Sequence, residues 1–488
     1  ALEGAWDPAA APADTQDQIQ AAITQLFYVG NALHDWFYDV GFDEAAGNAQ
    51  NANLGRGGLQ GDPLLMEAQD YNGLDNAQTF TEPDGLSPKI EMFLWHNSDL
   101  VRAVVIDPPA LAGPREARAA TTFGPQSFDV TGELVRASDT RLNPCPPFDN
   151  QGAFAGKIAV IERSPVITCT FTSKVAAAQA AGAIGVLHRN IDATQSFVDM
   201  GGTDATVTIP SLLVRKADGD ALAAAVLAGP VSLSLQRAAG TLRDGTVDSL
   251  VVAHEWAHYM SNRLVQDAAG LLTTQARGMG EGWSDFVSLL MAVRAEDALV
   301  PDNADWSGVY ATAGWVMGGT NALGNPNQGF YYGLRRTPYS TDMTRAPLTF
   351  KHVADGVALP AVSPPLVSNG APNSEVHNAG EVWAGVLWEC YAALLRDTQG
   401  ATPRLDFDEA NRRMREYLVA SLKLLPQYPT FLEGRDALLA VARAADPADF
   451  HAFWAAFAKR GFGVGAVGPS SRFSTTNAEA ALGEGGPE

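Results

Sequence analysis

Two histidines four residues apart flank a glutamate in Val252-Ala253-His254-Glu255-Trp256-Ala257-His258-Tyr259-Met260, within an apolar run compatible with a helix. On an α-helix such positions lie one turn apart on the same face, so His254 and His258 can offer two imidazole nitrogens to one metal ion. Glu255 then sits beside the ion, where a carboxylate can take a proton from a water acidified to a pKa of roughly 7 and deliver it to a leaving amine. The pattern predicts a zinc centre for hydrolysis. Paired histidines on one helical face also occur as core or surface residues that bind nothing, so a third ligand has to be found.

It is supplied by Gly278-Met279-Gly280-Glu281-Gly282-Trp283-Ser284-Asp285-Phe286. Glu281 completes a His, His, Glu set and leaves the fourth tetrahedral position for water, as catalytic zinc sites require. Asp285 lies one turn later on the same face. It is expected to accept the free ring N–H of His254 and fix that ligand's tautomer and orientation. The competing reading of Asp285 is a solvated acid on a helix face.

The elements that must carry these residues are partly legible. Asp248 or Ser249 can cap a helix from Leu250 to about Leu264. Upstream, apolar residues recur at helical spacing from Ile19 to Tyr38, with His34 read as structural, and the first twenty residues read as an extended arm. Leu64 to Tyr71 and Lys89 to Trp95 read as strands. Residues 301–375 read as loops in which Tyr331, Tyr332 and Tyr339 are packing or cleft-lining groups. Helical spacing returns over Glu381–Leu395, Phe407–Leu425, Thr430–Ala444 and Pro447–Arg460, with a surface tail expected after Gly465.

Composition limits the partners. The 488 residues carry 33 Lys and Arg against 55 Asp and Glu, a net charge of −22, without a run of basic residues. This argues against nucleic acid or an anionic membrane as a partner, although solubility alone would also explain the acidity. No long uncharged apolar stretch reads as a membrane span, and with Ala1 first the sequence reads as a processed, secreted chain. Three cysteines, Cys145, Cys169 and Cys390, allow at most one intramolecular disulfide.

Between about Ala103 and Arg237 the composition shifts to short β-type runs alternating with Ala-rich helical ones, as in Gly156–Ile161, Ser173–Ala183 and Ile184–Leu187. The run from Cys145 through Gly156 to Arg163, with Cys169-Thr170-Phe171, Lys174-Val175, Ala180–Ala183 and Ile209-Pro210-Ser211, resembles a protease-associated domain. The resemblance implies an accessory, non-catalytic unit over residues 104–236, inserted between peptidase segments 1–103 and 237–488.

Outside that insert the chain resembles the fungalysin family of secreted zinc metallopeptidases. The resemblance is carried by Gly41–Asn48, Glu67–Asp70, Asn76-Ala77, Pro83–Gly85, His254–His258, Ser261–Leu264, Gly278–Phe286, Tyr339–Thr341, Val376-His377 with Gly380–Ala384, and Arg435–Ala437. It departs at Tyr259-Met260, where the family commonly has Gly-Leu, and in the insert itself. The resemblance implies an α+β, thermolysin-like architecture in two parts, the C-terminal one mainly helical. It also implies Zn2+ as cofactor, endopeptidase activity on protein or peptide substrates, an extracellular setting and a propeptide in the precursor.

Three residue roles follow from the resemblance. Asn76 and Ala77 are expected to bind substrate. His377 is expected to be catalytic, donating a hydrogen bond to the oxyanion formed on attack, with Glu375 keeping its imidazole charged. The competing reading of His377 is packing at a helix start. Cys145 and Cys169 are expected to be joined, because both fall in the insert and an extracellular setting favours oxidation, leaving Cys390 a buried thiol. Two other functions fit the same motifs: a zinc aminopeptidase, and a binding protein whose metal site is inactive. Intact Glu255 argues against the latter.

Overall fold

Apolar residues spaced four and three apart, Ala22, Leu26, Val29, Leu33 and Phe37, form the buried stripe of α1 (Gln16–Tyr38), whose first turn is capped by the Thr15 hydroxyl. The computed structural model describes residues 6–97, 99–138, 145–163, 169–192, 197–318, 329–361 and 372–483. They divide into two units, one running through 6–96, 242–318 and 329–483 and the other through 97–241.

In the first unit, β1 (Leu65–Glu67), β2 (Ala77–Phe80) and β3 (Lys89–Met92) form a sheet in the order β1-β3-β2. β2 runs antiparallel to β3, pairing Ala77 with Met92 and Thr79 with Ile90, and stands at the edge. β1 is shorter than the sequence pattern of Leu64–Tyr71 predicts: Gln69 takes a left-handed φ of 52°, which extended backbone does not allow. β4 (Leu94–Trp95) completes the segment.

The second unit contains β5 (Leu100–Asp107), β6 (Gly113–Ala119), β7 (Phe128–Arg136), β8 (Ile158–Glu162), α2 (Phe171–Ala180), β9 (Gly185–Arg189), β10 (Ser211–Val214), α3 (Lys216–Ala228) and β11 (Ser232–Ala238). The strands close a barrel in the order β10-β6-β5-β11-β7-β8-β9, with β7 to β10 linked by parallel pairs. Alternation sends Ile158 and Val160 of β8 into one apolar cluster with Leu187, Leu212 and Leu235. Ala159 and Ile161 face the other, with Val175 and Ala178 of α2. Burial on both faces is why these strands read as continuous apolar runs. Cys145 and Cys169 are joined by a disulfide, and Cys390 is a buried free thiol.

The first unit resumes with β12 (Arg243–Asp244), which pairs antiparallel with β4. Its helices follow: α4 (Ser249–Leu264), α5 (Thr274–Ala292), the short α6 (Gly314–Met317) and α7 (Gly329–Tyr332), α8 (Val376–Arg396), α9 (Phe407–Lys423), α10 (Phe431–Ala445) and α11 (Pro447–Lys459). Trp256, Trp283, Phe286, Trp383, Trp388, Phe431 and Phe457 are buried in one core built largely from α4, α5 and α8. The segment after Gly465 is tied down more than its composition predicts. Val467 bridges to Ala481, Phe462 bridges to Gly483, and buried Asn477 donates to the Val353 carbonyl. Parts of the 301–375 loop segment and the last five residues lie outside the described residues.

Candidate metal centre

α4 begins at Asp248, whose Oδ1 accepts from Leu250 N at 3.0 Å and whose Oδ2 accepts from Trp315 N and Val316 N. The cap thus fixes both the helix start and the chain that crosses it. Ser288 on α5 donates to the Leu250 carbonyl at 2.6 Å, setting the rotation of α5 against α4. α5 and α8 approach through glycines. A Cβ on Gly282 would stand 2.7 Å from the Gly380 carbonyl oxygen, and one on Gly380 would stand 2.6 Å from Cβ of Glu281. Any side chain at either position would push the helices apart.

These contacts bring His254 and His258 of α4 together with Glu281 of α5. His254 Nε2 lies 3.1 Å from His258 Nε2, and Glu281 Oε2 lies 3.3 Å from the first and 3.5 Å from the second. Glu281 Oε2 is buried and has no hydrogen-bond partner among the described residues. A tetrahedral ion with bonds of about 2.0 to 2.1 Å separates its ligands by about 3.3 Å, so three donor atoms at these spacings fit one face of a zinc polyhedron. Three such atoms within 4.8 Å of one another, one of them orphaned, could hold one shared cation.

Asp285, one turn beyond Glu281, is fully buried. Its Oδ1 stands 2.9 Å from His254 Nδ1, and Arg335 grips both oxygens through Nε at 2.6 Å and Nη2 at 2.7 Å. The Tyr339 hydroxyl also donates to it. Burial alone would raise the Asp285 pKa, but Arg335 and His254 outweigh it and hold the carboxyl well below the usual range. The same balance acts on His254: burial lowers its pKa, while Asp285 and Glu281 raise it to about 10. A metal ion at that nitrogen would have to compete with the proton.

Glu255 is buried on the same helix and hydrogen-bonded by Thr79 of β2. His377 stands in the first turn of α8 rather than in the segment before it, because Glu375 caps the helix by accepting from Asn378 N at 3.0 Å. Its Nδ1 lies 2.7 Å from Glu375 Oε1 and its Nε2 lies 3.4 Å from Glu281 Oε2. Burial works against the charged imidazole, but Glu375 and Glu281 raise its pKa.

These residues line a cleft of about 790 Å³ together with Asn76, Ala77, Thr79 and Arg335. The candidates Asn76, Ala77, His254, Glu255, His258, Glu281, Asp285 and His377 therefore border one space, whereas Tyr331, Tyr332 and Tyr339 are not among its lining residues. Sequence reasoning missed Arg335 and Thr79. Arg335-Arg336 was the available signal: two adjacent arginines in an apolar stretch need buried carboxylates, and both are buried.

Two imidazoles and a carboxylate on paired helices, with Glu255 beside them, form a set that could hold a metal ion. A family model described as fungalysin metallopeptidase (M36) matches residues 3–466, and the chain belongs to that family. Its relatives include the extracellular metalloproteinase MEP of Pyricularia oryzae, 25% identical over 480 residues, a match covering 96% of this chain and 48% of that protein. The extracellular metalloproteinase mep of Aspergillus flavus is 24% identical over 468 residues, covering 94% of this chain and 46% of its own. The chain spans about half the length of the curated relatives it matches. Among solved structures, an aminopeptidase from Aneurinibacillus sp. strain AM-1 aligns with 53% of this chain and 55% of its own at 17% identity. The TM-score of that match is 0.23. No helix among the described residues is long and apolar enough to cross a membrane.

Proposed function

We propose that this chain is the peptidase part of a secreted zinc endopeptidase acting on proteins, with His254, His258 and Glu281 as metal ligands. The observation that carries the reading is the triangle of donor atoms with edges of 3.1, 3.3 and 3.5 Å beside Glu255. Zinc bound there supplies a Lewis acid that brings the pKa of water to roughly 7. Glu255 takes the proton of the attacking water and returns it to the leaving amine. His377, held charged by Glu375, donates a hydrogen bond to the oxyanion that forms on the scissile carbonyl. Asp285 holds the His254 ring, and Arg335 holds Asp285. Asn76 and Ala77, at the edge strand β2, present backbone groups to an extended peptide, which an unpaired strand edge accepts as an added strand.

The same reading assigns residues 1–103 and 237–488 to a thermolysin-like two-part peptidase. Residues 104–236 form an inserted protease-associated domain with an accessory role, and a propeptide is a partner in the precursor. Extracellular relatives support secretion. The test is incubation with a denatured protein, with and without a chelator, read by mass spectrometry. Internal cuts that the chelator abolishes are expected; terminal trimming alone, or no cleavage by zinc-loaded protein, would overturn the proposal.

A further inference from the structure

One hydroxyl from a distant strand reaches the carboxylate at the centre of the proposed chemistry. Thr79 lies on the edge strand β2, two residues beyond Ala77 and therefore on the same face of the sheet. Its Oγ1 stands 2.7 Å from Glu255 Oε2 and 2.9 Å from the Glu255 backbone carbonyl oxygen. Gln78, between them in sequence, points the other way and donates to Glu91. Among the described residues no other hydrogen bond reaches the Glu255 carboxylate.

We infer that Thr79 is a positioning residue for Glu255: its hydroxyl anchors Oε2 and leaves Oε1 as the oxygen that meets the reacting water. The inference rests on the proposed role of Glu255 as base. A glutamate has three rotatable side-chain bonds, and a carboxylate free to swing samples geometries from which no proton can be taken. One hydrogen bond to one oxygen removes that freedom without blocking the other oxygen. The second acceptor has its own use. The hydroxyl carries one hydrogen, so when Oε2 no longer needs it the Glu255 carbonyl can receive it. The same contacts tie β2, the strand assigned to substrate, to the helix that carries the base.

The experiment compares the wild-type chain with Thr79→Val, Thr79→Ser and Glu255→Gln, each zinc-loaded and checked for metal content and for fold by circular dichroism. Thr79→Val keeps the shape and removes the hydroxyl; it is expected to lower kcat about tenfold with KM within about twofold, as loss of a positioning group predicts. Thr79→Ser is expected to restore at least half of the wild-type kcat. A crystal structure of Thr79→Val is expected to show the Glu255 carboxylate in more than one rotamer. Wild-type kcat in Thr79→Val, beside an inactive Glu255→Gln, would overturn the inference and leave the peptidase reading standing. So would equal losses in the Val and Ser variants, or a change in KM alone. Full activity in Glu255→Gln would instead overturn the peptidase reading. Where Thr79→Val fails to fold, Thr79→Ala gives the same comparison.

Discussion

Two sets of buried ionisable groups, one in each unit, are handled in opposite ways. In the first unit several buried charges are matched, although His352 there is also kept neutral by burial. Asp285 meets Arg335 and His254, Glu381 meets Arg336 at 2.9 Å, and Arg263 meets Asp62 at 3.1 Å. In the second, Lys174 and His188 are buried near each other with no carboxylate partner among the described residues. Among those residues Lys174 donates only to the Glu162 carbonyl, at 2.5 Å, and neither ring nitrogen of His188 has a hydrogen-bond partner. Burial brings the Lys174 pKa down to about 8 and, with Lys174 beside it, that of His188 down to about 3. Matched charges hold side chains in place for chemistry; of the unmatched bases, His188 is neutral at pH 7, whereas Lys174 stays largely protonated and bears the cost of its burial. The contrast teaches that burial alone does not mark a functional group. His188 is the more buried histidine, and His254 is the one with partners on both ring nitrogens.

The largest effect should come from the group whose partners leave it one free oxygen. Glu255→Gln is expected to retain zinc and lose two to four orders of magnitude in kcat, since an amide cannot act as a base. Metal analysis beside steady-state kinetics checks it, and near-normal turnover would remove the chemistry from the matched unit. His377→Ala is expected to lower kcat by about 10² to 10³ with zinc content and fold unchanged, the range for one oxyanion donor. Asp285→Asn tests the value of matching itself. It is expected to weaken zinc binding by about 10- to 100-fold in chelator competition, because the His254 ring loses its anchor.

The unmatched pair makes a prediction about pH. The folded-state pKa of His188 lies below its ordinary value of 6.5, so the unfolded chain binds more protons than the folded one between pH 6.5 and about 3. His188 therefore leaves stability intact above pH 6.5 and removes it as pH falls, by about 2 kcal/mol at pH 5. Lys174 acts earlier, between its ordinary 10.5 and about 8, so its share is already lost at neutrality. Hydrogen exchange of α2 and β9 in the full chain, corrected for intrinsic rates, should show the acid loss, and His188→Leu should flatten it. The smallest effect is expected from replacing residues 104–236 with a short linker. Cleavage of small peptides should stay within about twofold, while a folded deletion that no longer cuts them would show that the unmatched unit takes part in catalysis.

What the sequence made legible was local. α4 was read to within one residue because its cap, apolar spacing and ligand spacing all lie within a few turns. β8, α2 and β9 were read for the same reason, each as a short run of one period. Closure of the barrel was not, since β5 pairs with β11 across more than a hundred residues and no period in the sequence encodes that register. The site divides likewise. The proposed ligands and Asp285 sit at helical spacings, whereas Thr79 reaches Glu255 across 176 positions and Arg335 reaches Asp285 from a loop across 50. Neither carries a pattern, only a residue type.

The facing glycines of α5 and α8 have a consequence for anyone who would retune this centre. Gly282 and Gly380 set the spacing of two helices, one carrying Glu281 and the other carrying His377. On the proposed reading, metal preference and oxyanion donation are thus geared to one shaft. A backbone shift made to suit a larger or smaller cation would turn both at once, so the two properties can be adjusted independently only by changing side chains.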